Sequence, residues 1–151
     1  MGIRRFGEPA RNGRRYRARP GVYAILPRGS SVLITRQEEP ESEFQLPGGG
    51  IDPGESAIRA LHREVLEETG WRISRPRRIG AFRRFTFMPE YDLWAEKICH
   101  IYLAYPTRAL SEPEESGHLA LWFPLELAAE MLTNEGDRHF LSKVLSSNYR
   151  P

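Results

Sequence analysis

Apolar positions recur at spacings of three and four in one stretch, where Ala57, Ile58, Leu61 and Val65 line a single stripe of a helix. That helix is predicted to run from about Ser56 to Thr69. Ser56 offers a side-chain oxygen to cap the first turn, and Gly70 is a natural stop because it takes a left-handed backbone at little cost. Before the helix, Pro47 to Gly50 and Asp52 to Gly54 are turn-formers that leave no room for regular structure. Gly21–Leu26 and Val32–Gln37 read as two strands joined by a turn into a hairpin. Arg78–Met88 alternates like a strand, Pro89 to Asp92 reads as a turn, and Ala95–Tyr105 is apolar on both faces. Ile98, His100, Tyr102 and Ala104 lie on one of those faces, and Cys99, Ile101, Leu103 and Tyr105 on the other, which predicts a central strand covered on both sides. Leu119–Phe123 is a further short strand. An apolar helix follows from Pro124 or Leu125 to Leu132, and a last helix spans about Asp137 to Ser146. Helices on both sides of a mixed sheet make this an α/β chain.

The polar positions of the first helix change the picture. Glu64, Glu67 and Glu68 sit at i, i+3 and i+4, so their carboxylates converge beside the packing stripe. Like charges at these spacings cost a few tenths of a kcal/mol per pair, and a cluster held against the core wants a cation. Hard cations such as Mg²⁺ and Mn²⁺ take oxygen ligands, commonly a few carboxylates together with phosphate oxygens of a substrate. Taken alone, the triplet reads first as a solvated acidic face, since surface helices are full of such spacings.

The longer spacing decides between these. Gly49, five residues, Glu55, seven residues, then Arg63, Glu64, Val65, one residue, Glu67, Glu68, one residue, Gly70 and Trp71 resembles the Nudix box at every fixed position. Taking each of the fixed identities at about 7%, chance would produce this roughly once in 10⁸ windows. The chain therefore resembles the Nudix hydrolase family over Gly49 to Trp71. The resemblance implies a Nudix-like α/β/α sandwich with a mixed β-sheet. It also implies a metal-dependent pyrophosphohydrolase that opens a phosphoanhydride in a nucleoside diphosphate linked to another moiety; the alternatives are a non-catalytic Nudix-fold module that senses a ligand or binds nucleic acid, and an RNA 5′-end pyrophosphohydrolase. Glu64, Glu67 and Glu68 match the family's metal ligands, with Mg²⁺ or Mn²⁺ as the cofactor, and Gly49 sits where the family brings a backbone carbonyl to the metal. Glu64 or a loop glutamate would take the proton of the attacking water. Glu55 and Arg63 match positions that orient the ligands and the loop. Arg36, at the end of a strand, resembles a position that holds substrate phosphate; a solvated strand-end charge is the other reading.

The resemblance also implies a further acidic ligand from a loop, and the acidic loop over residues 111–117 offers Glu112, Glu114 and Glu115 as candidates; a solvated loop that holds no ligand is the other reading. Glu115 is favoured because Ser116 and Gly117 let the chain bend its carboxylate over the cleft, and His118 is the alternative base. Pro89 and Tyr91 do not fall at the spacings that mark the ADP-ribose and diadenosine polyphosphate subfamilies, so the sequence leaves the nucleotide substrate open.

At 151 residues, with 40% hydrophobic and 28% charged positions, the chain is one domain with ordinary water-soluble composition. No apolar run is long enough to span a membrane. The lone Cys99 fits a reducing compartment, and a cytoplasmic location is expected. All but two of the 22 basic residues, Lys97 and Lys143, are Arg. Seven of those arginines fall in residues 1–19, read as a basic arm preceding a single domain over 20–151. The arm has only Phe6 and Tyr16 to offer as stacking rings, so an edge-lying or mobile basic segment is the favoured reading, and RNA is the lesser partner candidate beside a nucleotide. His100 reads as a core histidine rather than a ligand. Oligomeric state is left open.

Overall fold

The computed structural model describes residues 2–38, 42–112 and 118–147. In chain order the strands are β1 (Arg4–Arg5), β2 (Arg17–Ile25), β3 (Pro27–Arg28), β4 (Ser31–Gln37), β5 (Glu43–Gln45) and β6 (Gly48–Gly50). Helix α1 (Ala57–Thr69) comes next, followed by β7 (Trp71–Met88), a 3₁₀ turn at Pro89–Tyr91, β8 (Leu93–Ala109), β9 (His118–Pro124), α2 (Leu125–Met131) and α3 (Glu135–Ser146). One sheet runs β1-β7-β8-β2-β6 and mixes parallel with antiparallel pairs. The other is built on β4, with β9 along one edge and β3 and β5 on the other.

Two apolar clusters fill the spaces between helices and sheets. Ala60, Leu61 and Val65 of α1 pack with Val22, Ala24, Leu33, Tyr102 and Ala104. On the opposite side Leu125, Ala128, Phe140, Leu141 and Val144 of α2 and α3 pack with Ile25, Ile34, Phe82, Ile101 and Leu103. Each fully buried Leu, Val or Phe contributes about 1.5–3 kcal/mol, so both layers are held firmly. The result is the expected α/β/α sandwich. β8 lies centrally, and its alternate residues feed the two clusters as the pattern of Ala95–Tyr105 predicts.

Helix α1 begins and ends as its sequence dictates: the Ser56 hydroxyl accepts from Arg59 N, and Gly70 closes it at φ 75°. A Cβ at Gly70 would run into the Ser111 carbonyl, while Leu110 N donates to the Gly70 carbonyl at 2.8 Å. The box helix is thus pinned to the far end of β8.

Several elements differ from expectation. Residues 21–26 and 32–37 meet as a hairpin only at their near ends, where Leu33 N donates to the Leu26 carbonyl at 3.1 Å and β3 pairs with the start of β4; beyond that, β2 pairs with β8 and β6, and β4 with β5 and β9. The chain leaves the first sheet after Ile25 and opens the second at Pro27, a change that local turn chemistry does not report. Gly48–Gly50 forms a short strand against Val22 rather than irregular turn. β2 starts at Arg17, so Arg17 and Arg19 lie within the sheet, and β1 lies parallel to β7 along its edge. β7 begins at Trp71, well before Arg78, because it absorbs Pro76 through a register shift with Arg75 at φ 53°. α3 starts earlier than expected, at Glu135, with Asn134 as its cap.

Candidate active site

The site forms where the middle and C-terminal half of α1 meet β6, and its hub is Arg63. Its Nε and Nη2 donate to both oxygens of Glu55 at 2.8 and 2.7 Å, a bidentate pair. Nη2 also donates to the Gly50 carbonyl at 3.0 Å and stands 3.5 Å from Asp52. Nη1 donates to Glu64 Oε1 at 2.8 Å and to Glu67 Oε2 at 3.4 Å. One planar guanidinium therefore ties the loop before the helix to two of the helix carboxylates. Glu55 also accepts from Asp52 N, and the Arg63 guanidinium holds its carboxyl down at about 2. The same partners raise Arg63 above its already high value.

Glu64 and Glu68 are buried, whereas Glu67 is half-exposed. Glu68 Oε2 accepts from Gly48 N at 3.0 Å, and its other oxygen stands 4.0 Å from Nε2 of His118. A Cβ on Gly49 would collide with the Glu64 carboxylate, so only glycine lets the β6 backbone lie against that group. Two buried carboxylates one helical turn apart, a third beside them and an open glycine backbone form a hard-oxygen donor set. Their oxygens are of the kind a divalent cation takes together with phosphate oxygens, although among the described residues no three acidic or histidine side chains are gathered closely enough to hold one by themselves, and Arg63 spans Glu64 and Glu67.

Of the other sequence candidates, His118 comes to the site at the start of β9, where it pairs with Gln37 across the second sheet. Glu112 is exposed. Glu114 and Glu115 lie outside the described residues. Arg36 is not brought to the carboxylates. Leu33 faces α1 while Ile34 faces α2 and α3, so by alternation Arg36 points to the α3 side, where its Nε meets Ser42 Oγ at 3.3 Å. His100 is half-buried beside Arg78, and both burial and that guanidinium lower its pKa.

One polar group escaped the sequence reading. Asp137, on α3, is buried, accepts from Leu46 N at 3.2 Å, and is pushed up to about 6 by burial. It borders a void of about 20 Å³, room for a single water, lined also by Tyr23, Gln45, Lys97 and Asn134. The capping pair Asn134 and Asp137 is visible in the sequence, for Asp137 N donates to Asn134 Oδ1 at 2.8 Å. Its burial is not.

The NUDIX domain model matches residues 15–144. The chain belongs to the Nudix family. An RNA pyrophosphohydrolase of Helicobacter pylori (strain ATCC 700392 / 26695) is 46% identical over 57 residues, 34% of this chain and 37% of that protein. A Bacillus subtilis (strain 168) protein named provisionally as an 8-oxo-dGTP diphosphatase is 36% identical over 74 residues, 49% of this chain and 50% of that protein. The matched stretches thus span half or less of these curated relatives. Among solved structures, a NUDIX hydrolase from Nitrosomonas europaea superposes with TM-score 0.70 at 18% identity, covering 89% of this chain and 93% of the other. The MutT protein of Bacillus halodurans does so with TM-score 0.70 at 22% identity, covering 87% and 85%. These likenesses establish the Nudix fold.

Proposed function

We infer that this Nudix protein is a metal-dependent hydrolase that cleaves a phosphoanhydride bond in a nucleoside diphosphate linked to another moiety. The observation that carries this reading is the pair Glu64 and Glu68, buried against the Gly48–Gly50 backbone with Glu67 beside them. Buried carboxylates are costly unless something positive compensates them, and here Arg63 is shared among Glu55, Glu64 and Glu67. Glu64, Glu67 and Glu68, with the Gly49 backbone, would hold Mg²⁺ or Mn²⁺. When bound, the cation offsets charge on the phosphoryl oxygens and lowers the pKa of water.

The protein's own contribution is positional. Arg63 fixes Glu64 Oε1 and the Gly50 carbonyl relative to each other, and Gly48 N fixes Glu68 Oε2. A carboxylate oxygen of Glu64 is the candidate acceptor for the proton of the attacking water, and Glu115 is a second candidate from the loop that ends beside His118. The fully buried Cys99 offers no disulfide chemistry, which suits a cytoplasmic enzyme.

A panel of nucleoside diphosphate derivatives and triphosphorylated RNA, assayed with Mg²⁺, with Mn²⁺ and with chelator, tests the reading. Turnover should require the metal and fall by orders of magnitude in Glu68→Gln with the fold retained. A folded protein inactive on the whole panel, or a Glu68→Gln variant as active as its parent, would sink it.

A further inference from the structure

The face of the first sheet that carries α1 is covered along only part of its length. On β8, Tyr102 and Ala104 lie under α1. By alternation Trp94, Glu96, Ile98 and His100 share that face, with Phe87 and Phe85 as the cross-strand partners of Trp94 and Glu96 on β7. No helix among the described residues reaches this end. The segment before β2 crosses it instead, and brings Tyr16 to 4.8 Å from Phe85 and 6.3 Å from Trp94, ring centre to ring centre. Phe87 stands 5.2 Å from Trp94. Four aromatic rings from three parts of the chain thus form one continuous patch, with Phe87 40% and Trp94 36% exposed.

The patch is wrapped in positive charge. Arg14 lies 3.6 Å over the Trp94 ring, whereas Arg19, in phase with Tyr23 and Ile25 on β2, leaves from the opposite face and lies 4.4 Å over Tyr91 at the hairpin tip. Residues 1–19 carry seven arginines against one carboxylate, Glu8. An apolar protein partner would not call for this charge. Exposed rings interleaved with guanidinium groups are what a single strand needs: bases stack on rings whatever their identity, and arginines take the phosphates. The patch shares this face with the edge of the candidate catalytic loop, since Ile51 N donates to the Pro20 carbonyl at 3.0 Å and Pro20 pairs with Ile98, about 13 Å along β8 from Trp94.

We propose that Tyr16, Phe85, Phe87 and Trp94, with Arg14, form a platform that binds single-stranded nucleic acid on the face shared with the edge of the catalytic loop. The first nineteen residues alone do not predict it, because two of the rings sit on β7 and a third on β8. The platform is a binding site and stands whether or not the carboxylate cluster hydrolyses a nucleotide.

The experiment is a fluorescence-anisotropy titration of the full chain with labelled oligouridylate, the matching DNA strand and a duplex of equal length, over a range of salt. Both single strands should bind more tightly than the duplex, and a preference for the ribose strand would name RNA as the partner. Trp94→Ala and Phe87→Ala should each weaken single-strand binding roughly 5- to 100-fold, whereas Trp94→Phe should keep most of it. Arg14→Ala should reduce the slope of log affinity against log salt by about one. Circular dichroism and thermal melting check the fold of each variant; if Trp94→Ala melts, Phe87→Ser at a more exposed position carries the test. The proposal is overturned if no single strand binds, or if the duplex binds as tightly and the ring variants match the parent, leaving only diffuse charge. Binding to phospholipid vesicles without binding to oligonucleotides overturns it as well. No readout depends on turnover, so an inactive enzyme would leave this result interpretable.

Discussion

Replacing Gly49 by Ala isolates the contact on which the candidate metal site rests. Gly49 and Gly50 are neighbours in β6, and neither has its backbone in the left-handed region, so alanine strains the chain at neither position. What differs is the space. A Cβ at Gly49 runs into the Glu64 carboxylate, whereas a Cβ at Gly50 meets nothing within 4 Å. Overpacking of this kind typically costs about 1–3 kcal/mol, and each kcal/mol lowers the melting temperature of a domain this size by about 2–4 °C. Gly49→Ala should therefore melt roughly 2–12 °C lower. Gly50→Ala should be unchanged or slightly more stable, because alanine restricts the unfolded chain. If the chain relieves the collision by displacing the Glu64 carboxylate, a shift of about 1 Å in a reacting group costs on the order of 100-fold in rate, and metal affinity should fall with it. Thermal melts, metal titration by calorimetry and steady-state kinetics on both variants provide the comparison. Glu64→Asp, one methylene shorter, should recover part of the lost stability in the Gly49→Ala background without recovering turnover. A Gly49→Ala protein with parental metal affinity and turnover would refute the reasoning, since the contact would then have no bearing on the site.

Arg63→Lys should fail to replace arginine, because an ammonium cannot donate in parallel to both Glu55 oxygens while reaching Glu64. Turnover should fall, and the Glu55 carboxyl, now held at about 2, should titrate closer to the usual carboxylate range by NMR. In the parent, Glu55 is depressed, so its stabilisation is present above the unfolded value near 4.5 and is lost as pH falls through about 2; Arg63→Lys should flatten that acid limb. Asp137 works in the opposite sense. Its folded pKa is raised from 3.8 to about 6, so its contribution is fully present below 3.8 and is lost as pH rises through about 6. Denaturant melts should show Asp137→Asn removing that decline, on the order of 3 kcal/mol from the size of the shift; an unchanged pH profile would rule out Asp137 as its source.

The box helix was legible almost to the residue because each of its signals is local: a capping serine, an apolar stripe and a glycine stop. The two sheets were not. Whether Gly21–Leu26 pairs with Val32–Gln37 depends on which strand far along the chain competes for each edge, and β8 and β9 win both contests through pairings seven or more residues long. The carboxylates followed from spacing alone, since i, i+3 and i+4 fix a face of the helix. Their burial and the reach of Gly48 N to Glu68 did not, because these depend on a strand from another part of the chain lying against that face. Arg36 shows the same limit. Its place at a strand end was read correctly from the pattern, but which side it faces depends on the layer that its neighbours Leu33 and Ile34 bury into.

The short segment from Leu46 to Gly48 brings these long-range effects together. Asp137 of α3 accepts from Leu46 N on one side of the sandwich, and Glu68 of α1 accepts from Gly48 N on the other. Between them Ala24 N donates to the Pro47 carbonyl at 2.8 Å. Gly48 itself sits at φ 154°, and a Cβ there would strike the Val22 carbonyl and the Tyr23 backbone, so the segment has no slack to give. A stretch held by carboxylates from both helical layers and by the central sheet transmits a shift at either end to the other, because a packed backbone does not deform continuously. The expected consequence is that Asp137→Asn shifts the Gly48 amide resonance, although the two carboxylates belong to helices on opposite faces of the molecule; a Gly48 amide unchanged in that variant would refute the coupling.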